Sequence, residues 1–456
     1  MEFILYITPN KWKIMYFRRN IDAELLSWAK ESRRKPLLLR GARQTGKTCS
    51  VREFAKTFKH FLEVNFEKDF VVHSLFDRNL SPQEICRDLS VYYNVPVVAG
   101  ETLVFFDEIQ SCKNAISSLR FFYEQYNELH VIAAGSLLEF TLSEIPSYGV
   151  GRIRSMFIYP FSFDEFLSAI SEEELLKVKN NASHSAPLSE PLHEKLNTLL
   201  KKFLVLGGMP EVVMNYAERK DINECQKVLN DLIISYKTDF AKYKKRVPTL
   251  RITEVFNSIS KQSGTKFVYS RADTKADIKQ VKEAIELLVM SGLVIPATHS
   301  SSNGIPLGAE SDRKKRKLLI FDTGILQRIL GLDIRNLLFE NNFDAINKGA
   351  IAEVFAGLEI IKSTNCYEKS DLYYWQREKA SSSAEIDYVL QINDKVIPVE
   401  VKSAKKGSMK SLYIFLEEKK SEYGIRFSME NFSSYKNVFV YPLYAAGRVL
   451  FIRNEK

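Results

Sequence analysis

One octapeptide constrains the fold of this chain more than any other feature. Residues 41–48 fit the pattern G-x-x-x-x-G-K-[S/T] at every fixed position, between a short apolar run (36–40) and a helical pattern (47–58). Glycines let such a loop curl so that its N–H groups face phosphates, and the following helix N-terminus adds a favourable dipole. The context of strand, loop and helix predicts a nucleotide-binding P-loop. Its predicted members are Gly41, Ala42, Arg43, Gln44, Thr45, Gly46, Lys47 and Thr48.

A second run completes the predicted site. Residues 103–106 are apolar and lead into Asp107 and Glu108, as in a Walker B strand. We expect Lys47 to contact the β- and γ-phosphates of ATP, and Thr48 and Asp107 to hold Mg²⁺. Glu108 would orient or polarise the attacking water, so the Asp-Glu pair favours hydrolysis over nucleotide sensing alone.

Three further residues are candidates for this site. Ser136 follows the apolar run 130–134 and could lie beside the γ-phosphate, although an ordinary turn serine is the alternative. Arg152, and after it Arg154, could reach the nucleotide of a neighbouring subunit in a homo-oligomer, since such arginines stabilise transition-state charge. The alternative for both arginines is a surface salt bridge.

The N-terminal half has the pattern of an α/β domain. Apolar runs at 61–66, 102–106, 130–134 and 155–159 are separated by helical patterns. With the P-loop Gly-Ala-Arg-Gln-x-Gly-Lys-Thr and the closing phrase at 161–166, residues 16–170 resemble prokaryotic AAA+ superfamily ATPases. The resemblance implies a parallel sheet with an extra strand between the two Walker strands, which the run 61–66 would supply.

The middle of the chain changes character. Residues 171–204 contain a stretch rich in Asn, Ser and Pro, and we interpret them as a polar linker. Residues 205–315 are helical, and a helix at 278–290 leads into a strand, which suggests a winged helix-turn-helix. A plain helical connector is the alternative.

The C-terminal part, residues 316–456, has strand patterns around a helical pattern at 349–361. Asp387 lies before a turn at 393–394, and Glu400 and Lys402 lie after it, so a hairpin would bring all three together. The two carboxylates could hold Mg²⁺ or Mn²⁺, with Glu353 as a third ligand, while Lys402 could position a hydroxide or neutralise phosphoryl charge. Alternatively, Asp387 pairs with Lys402 in a structural role.

This constellation resembles the PD-(D/E)XK nuclease fold, with Asp387, Glu400 and Lys402 in the motif positions. Through its phrases at 321–324, 349–353 and 398–402, the region from about 205 to the end also resembles the C-terminal domain habitually joined to such ATPases. The resemblance implies a restriction-endonuclease-like α/β domain but supplies no substrate.

Length and charge bound the function. A chain of 456 residues favours two or three domains, here after an N-terminal extension at 1–15. The formal net charge of +9, concentrated in runs such as 242–246 and 313–317, is compatible with DNA or RNA contact or with a solvated basic surface. Because neither an export signal nor a membrane span is evident, we expect a cytoplasmic protein.

Two functions follow. The first is an ATP-driven enzyme in which the ATPase gates a metal-dependent nuclease acting on nucleic acid. The second is an ATP-dependent switch or assembly module whose C-terminal domain binds a protein or nucleic-acid partner without cleavage.

Overall fold

The fold is described from a computed structural model, which covers residues 16–78, 81–136, 138–145, 149, 151–243, 247–272, 277–331, 348–378, 384–404 and 407–451. The predicted extension at 1–15 and residues 244–246 of one basic run lie outside these ranges. In the described part of the chain, no helix is long and apolar enough to cross a membrane.

The α-helices are α1 Asn20–Ala29, α2 Lys47–Ala55, α3 His73–Arg78, α4 Pro82–Tyr93, α5 Lys113–Gln125, α6 Leu138–Glu144, α7 Phe163–Ala169, α8 Glu173–Asn181, α9 Glu190–Leu206, α10 Pro210–Arg219, α11 Ile222–Asp239, α12 Thr249–Gln262, α13 Ile278–Met290, α14 Thr323–Leu330, α15 Lys348–Lys362 and α16 Lys410–Lys419. The strands are β1 Leu37–Arg40, β2 His60–Asn65, β3 Thr102–Asp107, β4 His130–Ala134, β5 Arg154–Phe157, β6 Val294–Ser300, β7 Ser311–Ile320, β8 Leu372–Gln376, β9 Glu385–Ile392, β10 Lys395–Val401, β11 Gly424–Ser428, β12 Ser433–Tyr435 and β13 Val438–Pro442.

The N-terminal sheet is parallel and has the order β2-β3-β4-β1-β5. Every residue of β3 and β4 is buried, as expected for parallel strands covered by helices on both faces. The prediction that the run 61–66 supplies the strand between the Walker strands is wrong. That position belongs to β4, and β2 lies at the sheet edge beyond β3, because crossover connections let a later strand insert between two earlier ones.

The prediction of a polar linker at 171–204 is also wrong, because α8 and most of α9 lie within it. In α9, Leu196, Leu199, Leu200 and Phe203 are buried at the spacing of one helix face. Exposed polar side chains between them obscured that periodicity in the sequence.

The second sheet has the order β12-β13-β11-β10-β9-β8-β6-β7. Helices α12 and α13 followed by the antiparallel pair β6–β7 have the element order that we predicted for a winged helix. However, β6 also pairs in parallel with β8, so this hairpin continues the C-terminal sheet. The predicted boundary between 315 and 316 therefore falls inside β7.

Helix α7, which follows the ATPase sheet, packs in one core with α9 and the C-terminal region. The ring of Phe163 in α7 lies 5.6 Å from that of Phe203 in α9 and 6.4 Å from that of Phe355 in α15. The Phe157 amide also donates to the Cys366 carbonyl at 2.7 Å. Elements more than 190 residues apart in sequence are thus in direct contact around the P-loop domain.

Candidate functional site

The predicted P-loop connects β1 to α2, and its backbone requires glycine at two points. Gly46 has φ +95°, and a Cβ at Gly41 would lie 2.2 Å from the carbonyl oxygen of Ile158. A side chain at either position would strain or displace the loop. The tight curl of the loop therefore requires glycine at both positions, and the loop ends at Lys47, the first residue of α2.

Lys47 is buried inside this curl. Its Nζ donates to the carbonyl oxygens of Gly41 at 3.0 Å and Ala42 at 2.8 Å. Burial lowers the pKa of Lys47 to about 8, although Glu108 and Asp107 act in the opposite direction. The ammonium is therefore still mainly charged at neutral pH and lies where a phosphate of a bound nucleotide would meet it.

Thr48 and Asp107 come together as predicted for a magnesium site. The Thr48 hydroxyl lies 3.3 Å from each carboxylate oxygen of Asp107, and Asn65 donates to Asp107 Oδ2 at 3.2 Å. Burial, reinforced by Glu108 and Glu63, raises the pKa of Asp107 to about 6. Mg²⁺ prefers hydroxyl and carboxylate oxygens and would relieve the cost of this buried charge, so the residues fit the ion.

Glu108 follows β3 in a left-handed backbone conformation, with φ +49°. Its carboxylate accepts from Gln110 Nε2 at 2.6 Å and from Ser136 Oγ at 3.4 Å. Ser136 thus lies beside Glu108 at the carboxyl end of β4. Gln110 was missed from the sequence, although its place two residues after the Walker B pair is a usable signal.

Arg43 extends from the P-loop towards α11. Its Nε donates to Ser136 Oγ at 3.1 Å, and its Nη1 forms an ion pair with Asp239. The Tyr236 hydroxyl donates to the Arg43 carbonyl at 3.0 Å. The sequence predicted Arg43 only as a member of the loop and gave no reason to connect it with α11.

The P-loop opens into a cavity of about 820 Å³. Tyr16 and Phe17 line one side, while Met214 of α10 and Ile234 of α11 line another. A cavity of this size, with apolar walls and a phosphate-binding loop, suits a nucleotide. The residues from α10 and α11 could not be predicted as lining because only the folded chain brings them to the loop.

The two candidate arginines are not among the residues that line this cavity. Arg152 is half exposed, and its Nε lies 2.7 Å from Glu124. Arg154 forms an ion pair with Glu31. These contacts match the surface salt-bridge alternative within one chain. A role for Arg152 at a neighbouring subunit stays a prediction.

The C-terminal hairpin brings the predicted motif residues together. Strands β9 and β10 are antiparallel, and Asp387 Oδ2 accepts from the Val401 amide at 2.7 Å. Glu400 is buried and pairs with Lys402 at 2.8 Å. Lys402 is thus the partner of Glu400, and the alternative pairing of Asp387 with Lys402 does not occur.

Asp387 has a different cationic neighbour, which the sequence did not reveal. Lys317 of β7 is fully buried, and its Nζ lies 2.8 Å from Glu353, 2.5 Å from Glu385 and 3.7 Å from Asp387. Burial opposes the charge of Lys317, but the three carboxylates hold its pKa above the usual range. Burial raises the pKa of Glu353, and the adjacent Lys317 ammonium acts in the opposite direction.

The Lys317 ammonium lies beside two of the predicted Mg²⁺ or Mn²⁺ ligands, Glu353 and Asp387, the third being Glu400. A divalent cation bound between Glu353 and Asp387 would lie against a buried positive charge. Within the described residues, no group of three His, Cys, Asp or Glu side chains is arranged to hold a metal ion. Glu353 and Asp387 thus belong to a lysine-centred ion cluster, whereas Glu400 pairs with Lys402. Metal binding by these three carboxylates stays a prediction.

Family models match three parts of the chain. Residues 33–167 match the model described as an AAA domain. Residues 197–336 and 348–446 match two domains of unknown function, DUF8612 and DUF4143. The comparison with curated proteins found no match.

Solved structures give distant matches. The Walker-type ATPase PABY2304 of Pyrococcus abyssi is 18% identical, with 69% of this chain and 96% of that chain covered and a TM-score of 0.46. The Aeropyrum pernix ORC1 protein in complex with DNA is 14% identical, with coverages of 73% and 95% and a TM-score of 0.29. Drosophila ORC bound to DNA is 13% identical, with coverages of 70% and 88% and a TM-score of 0.27.

Proposed function

Because residues 33–167 form a P-loop ATPase domain of the AAA type, we propose that the protein is an ATP-driven conformational switch. In this proposal the C-terminal half binds nucleic acid without cutting it. The observation that carries the proposal is the shared cavity, in which the P-loop forms one wall and α10 and α11 form another. Nucleotide binding and hydrolysis at the P-loop can therefore move helices α10 and α11.

Four side chains perform the ATP step in this account. Lys47 binds the β- and γ-phosphates, and Thr48 with Asp107 holds Mg²⁺, which neutralises phosphate charge when bound. Glu108 orients the attacking water and accepts its proton as the bond to the γ-phosphate breaks. Gln110 and Ser136 hold the Glu108 carboxylate in place through their hydrogen bonds.

A connected path supports coupling from the cleft to the C-terminal half. Asp322, at the start of α14, accepts from the Gly208 amide at 2.7 Å and from the Ile325 amide at 3.0 Å. Gly208 lies two residues before α10, so this buried carboxylate ties the cleft helices to the end of β7. A displacement of α10 would reach the second sheet through this contact.

The Lys317 cluster supports binding rather than cleavage. In the metal-dependent alternative, Glu353, Asp387 and Glu400 would hold a cation that Lys317 repels. Lys317 is fully buried among its carboxylate partners. If a metal ion took its place, the lysine charge would be buried without a partner or would have to move into solvent.

Exposed basic side chains support nucleic acid as the partner. Lys279 and Lys282 are exposed on α13, and Arg313 and Lys314 are exposed on β7. Each phosphate contact made by such a residue releases counterions and so favours binding at low salt. DNA and RNA are both compatible with this chemistry.

One experiment separates the alternatives. ATP hydrolysis is measured for the wild type and Lys47→Ala, with Lys59→Ala as an exposed-lysine control, with and without duplex DNA. The DNA is followed on a gel in Mg²⁺ and in Mn²⁺. We expect hydrolysis in the wild type and the control only, with intact DNA. Cleaved DNA would contradict the non-cleaving proposal, and absent hydrolysis would contradict the ATPase itself.

A further inference from the structure

The guanidinium of Arg43 lies between the catalytic side of the cleft and helix α11. Besides its contacts with Ser136 and Asp239, its Nη2 lies 3.7 Å from Glu67. The segments after β2 and β4 and helix α11 therefore meet at one cation. None of the chemistry assigned above to Lys47, Thr48, Asp107 and Glu108 uses this side chain.

A bound nucleotide would compete for Arg43. Asp239 lines the same cavity as Lys47 and Glu108, so phosphates and this carboxylate share one space. A guanidinium binds carboxylate and phosphate oxygens with the same paired N–H geometry. Asp239, Glu108 and Glu67 raise the pKa of Arg43 against the effect of its burial, so its positive charge is retained with either partner.

The position of Arg43 also determines which phosphate of the nucleotide competes with Asp239 for the guanidinium. Its Nε contacts Ser136, and Ser136 in turn donates to Glu108. Glu108 faces the bond that is hydrolysed, so this end of the cleft is where the terminal phosphate of ATP would lie. ADP has no group there, and its phosphates would stay at the Lys47 end.

We propose that Arg43 discriminates ATP from ADP by exchanging its partner between Asp239 and the terminal phosphate. With ADP, Arg43 stays paired with Asp239 and holds α11 against the P-loop. With ATP, the terminal phosphate binds Arg43, and the ion pair between Arg43 and Asp239 of α11 breaks. This inference rests on the proposed ATPase function and supplies the contact through which nucleotide state reaches α11. By linkage, weakening the Asp239 pair strengthens ATP binding.

The test is a double-mutant cycle read as the ratio of two affinities. Calorimetry in Mg²⁺ gives the Kd of the non-hydrolysable triphosphate AMP-PNP and of ADP for the wild type, Asp239→Asn, Arg43→Gln and the double variant. Glu211→Gln is the matched control, because Glu211 lines the same cavity and its substitution removes the same charge. ADP binding reports that each variant keeps a folded cleft.

We expect Asp239→Asn to shift the affinity ratio towards the triphosphate by about three- to tenfold, the range for one hydrogen bond of ordinary strength. The shift should vanish in the Arg43→Gln background, and Glu211→Gln should leave the ratio unchanged. An unmoved ratio in Asp239→Asn, or an equal shift without Arg43, would overturn the inference alone if the wild type still hydrolyses ATP. Wild-type protein that binds neither nucleotide would overturn both the inference and the ATPase proposal.

Discussion

The Nζ atom of Lys317 lies 2.8 Å from Oε1 of Glu353, inside the acidic cluster that the nuclease-like motif predicts. Lys317 is fully buried, so the substitution Lys317→Met leaves Glu353, Glu385 and Asp387 without their shared cation. We expect it to lower the free energy of unfolding by about 3–5 kcal/mol, as for a broken buried ion pair. Urea denaturation measures this loss.

The neighbouring strand residue provides the control for that prediction. Lys315 is partly exposed and pairs with Glu378 at 2.7 Å. Lys315→Met should cost less than about 1 kcal/mol, as for a surface pair. If the two variants were equally stable, the ion cluster would have no structural role and the case against a metal at this position would fail.

Asp107 predicts a pH dependence of stability. Its pKa rises from 3.8 to about 6 on folding, chiefly through burial. The folded state therefore binds more protons between these values, so the contribution of Asp107 to stability is greatest below about pH 4 and is lost as pH rises through 6. Asp107→Asn removes that decline and should be more stable than wild type at pH 7, by at most about 3 kcal/mol.

Urea denaturation without metal, at several pH values from 4 to 8, measures that difference. The free energies of unfolding of the wild type and Asp107→Asn should converge towards pH 4. A wild-type advantage at pH 7 would show that the carboxylate is stabilised rather than strained by its surroundings.

Glu108→Gln separates hydrolysis from binding. The substitution keeps the shape of the side chain but removes the base, so we expect kcat for ATP to fall by about 100-fold or more. Nucleotide affinity should stay close to that of the wild type, because Lys47 and the loop are intact. Steady-state hydrolysis and calorimetry measure the two quantities.

Glu101→Gln is the control for this prediction, since Glu101 is exposed and pairs with Lys59 away from the cleft. It should hydrolyse ATP like the wild type. Normal turnover in Glu108→Gln would remove Glu108 from the proposed chemistry.

The exposed basic residues of β7 predict how nucleic-acid binding depends on salt. The double substitution Arg313→Ala and Lys314→Ala should weaken binding to all sequences alike and reduce the salt slope by about 2. Fluorescence anisotropy with labelled duplex DNA and RNA at several salt concentrations tests this. A variant with Lys177→Ala, an exposed residue of α8 paired with Glu174, should bind like the wild type. Equal binding by both variants would exclude β7 from the interface.

The nucleotide site was predictable because local sequence determines it. Strand, glycine loop and helix follow one another between residues 36 and 58, and Asp107 ends a strand of the same sheet. Strand order was not predictable, because β4 reaches its place between β3 and β1 only through crossovers. The helix α9 was missed because its buried face, which includes Phe203, is interleaved with polar residues.

The remaining errors involve distant pairs. Arg43 and Asp239 are 196 residues apart. Lys317 lies 3.7 Å from Asp387 although β6 and β8 separate their strands, β7 and β9, in the sheet. The local sequence shows only that Lys317 directly precedes the apolar run 318–321. The structure shows that this lysine is buried. Sequence patterns identify such residues but do not identify their partners.

The most direct test of the switch is hydrogen exchange of the α11 amides. The Glu108→Gln protein is compared without nucleotide, with ADP and with ATP, and Lys47→Ala serves as the binding-deficient control. We predict that ATP changes the exchange rates of α11 while ADP does not, and that Lys47→Ala shows no change. Identical exchange in all states, with ATP demonstrably bound, would contradict the proposal that nucleotide state moves the helical wall of the cleft.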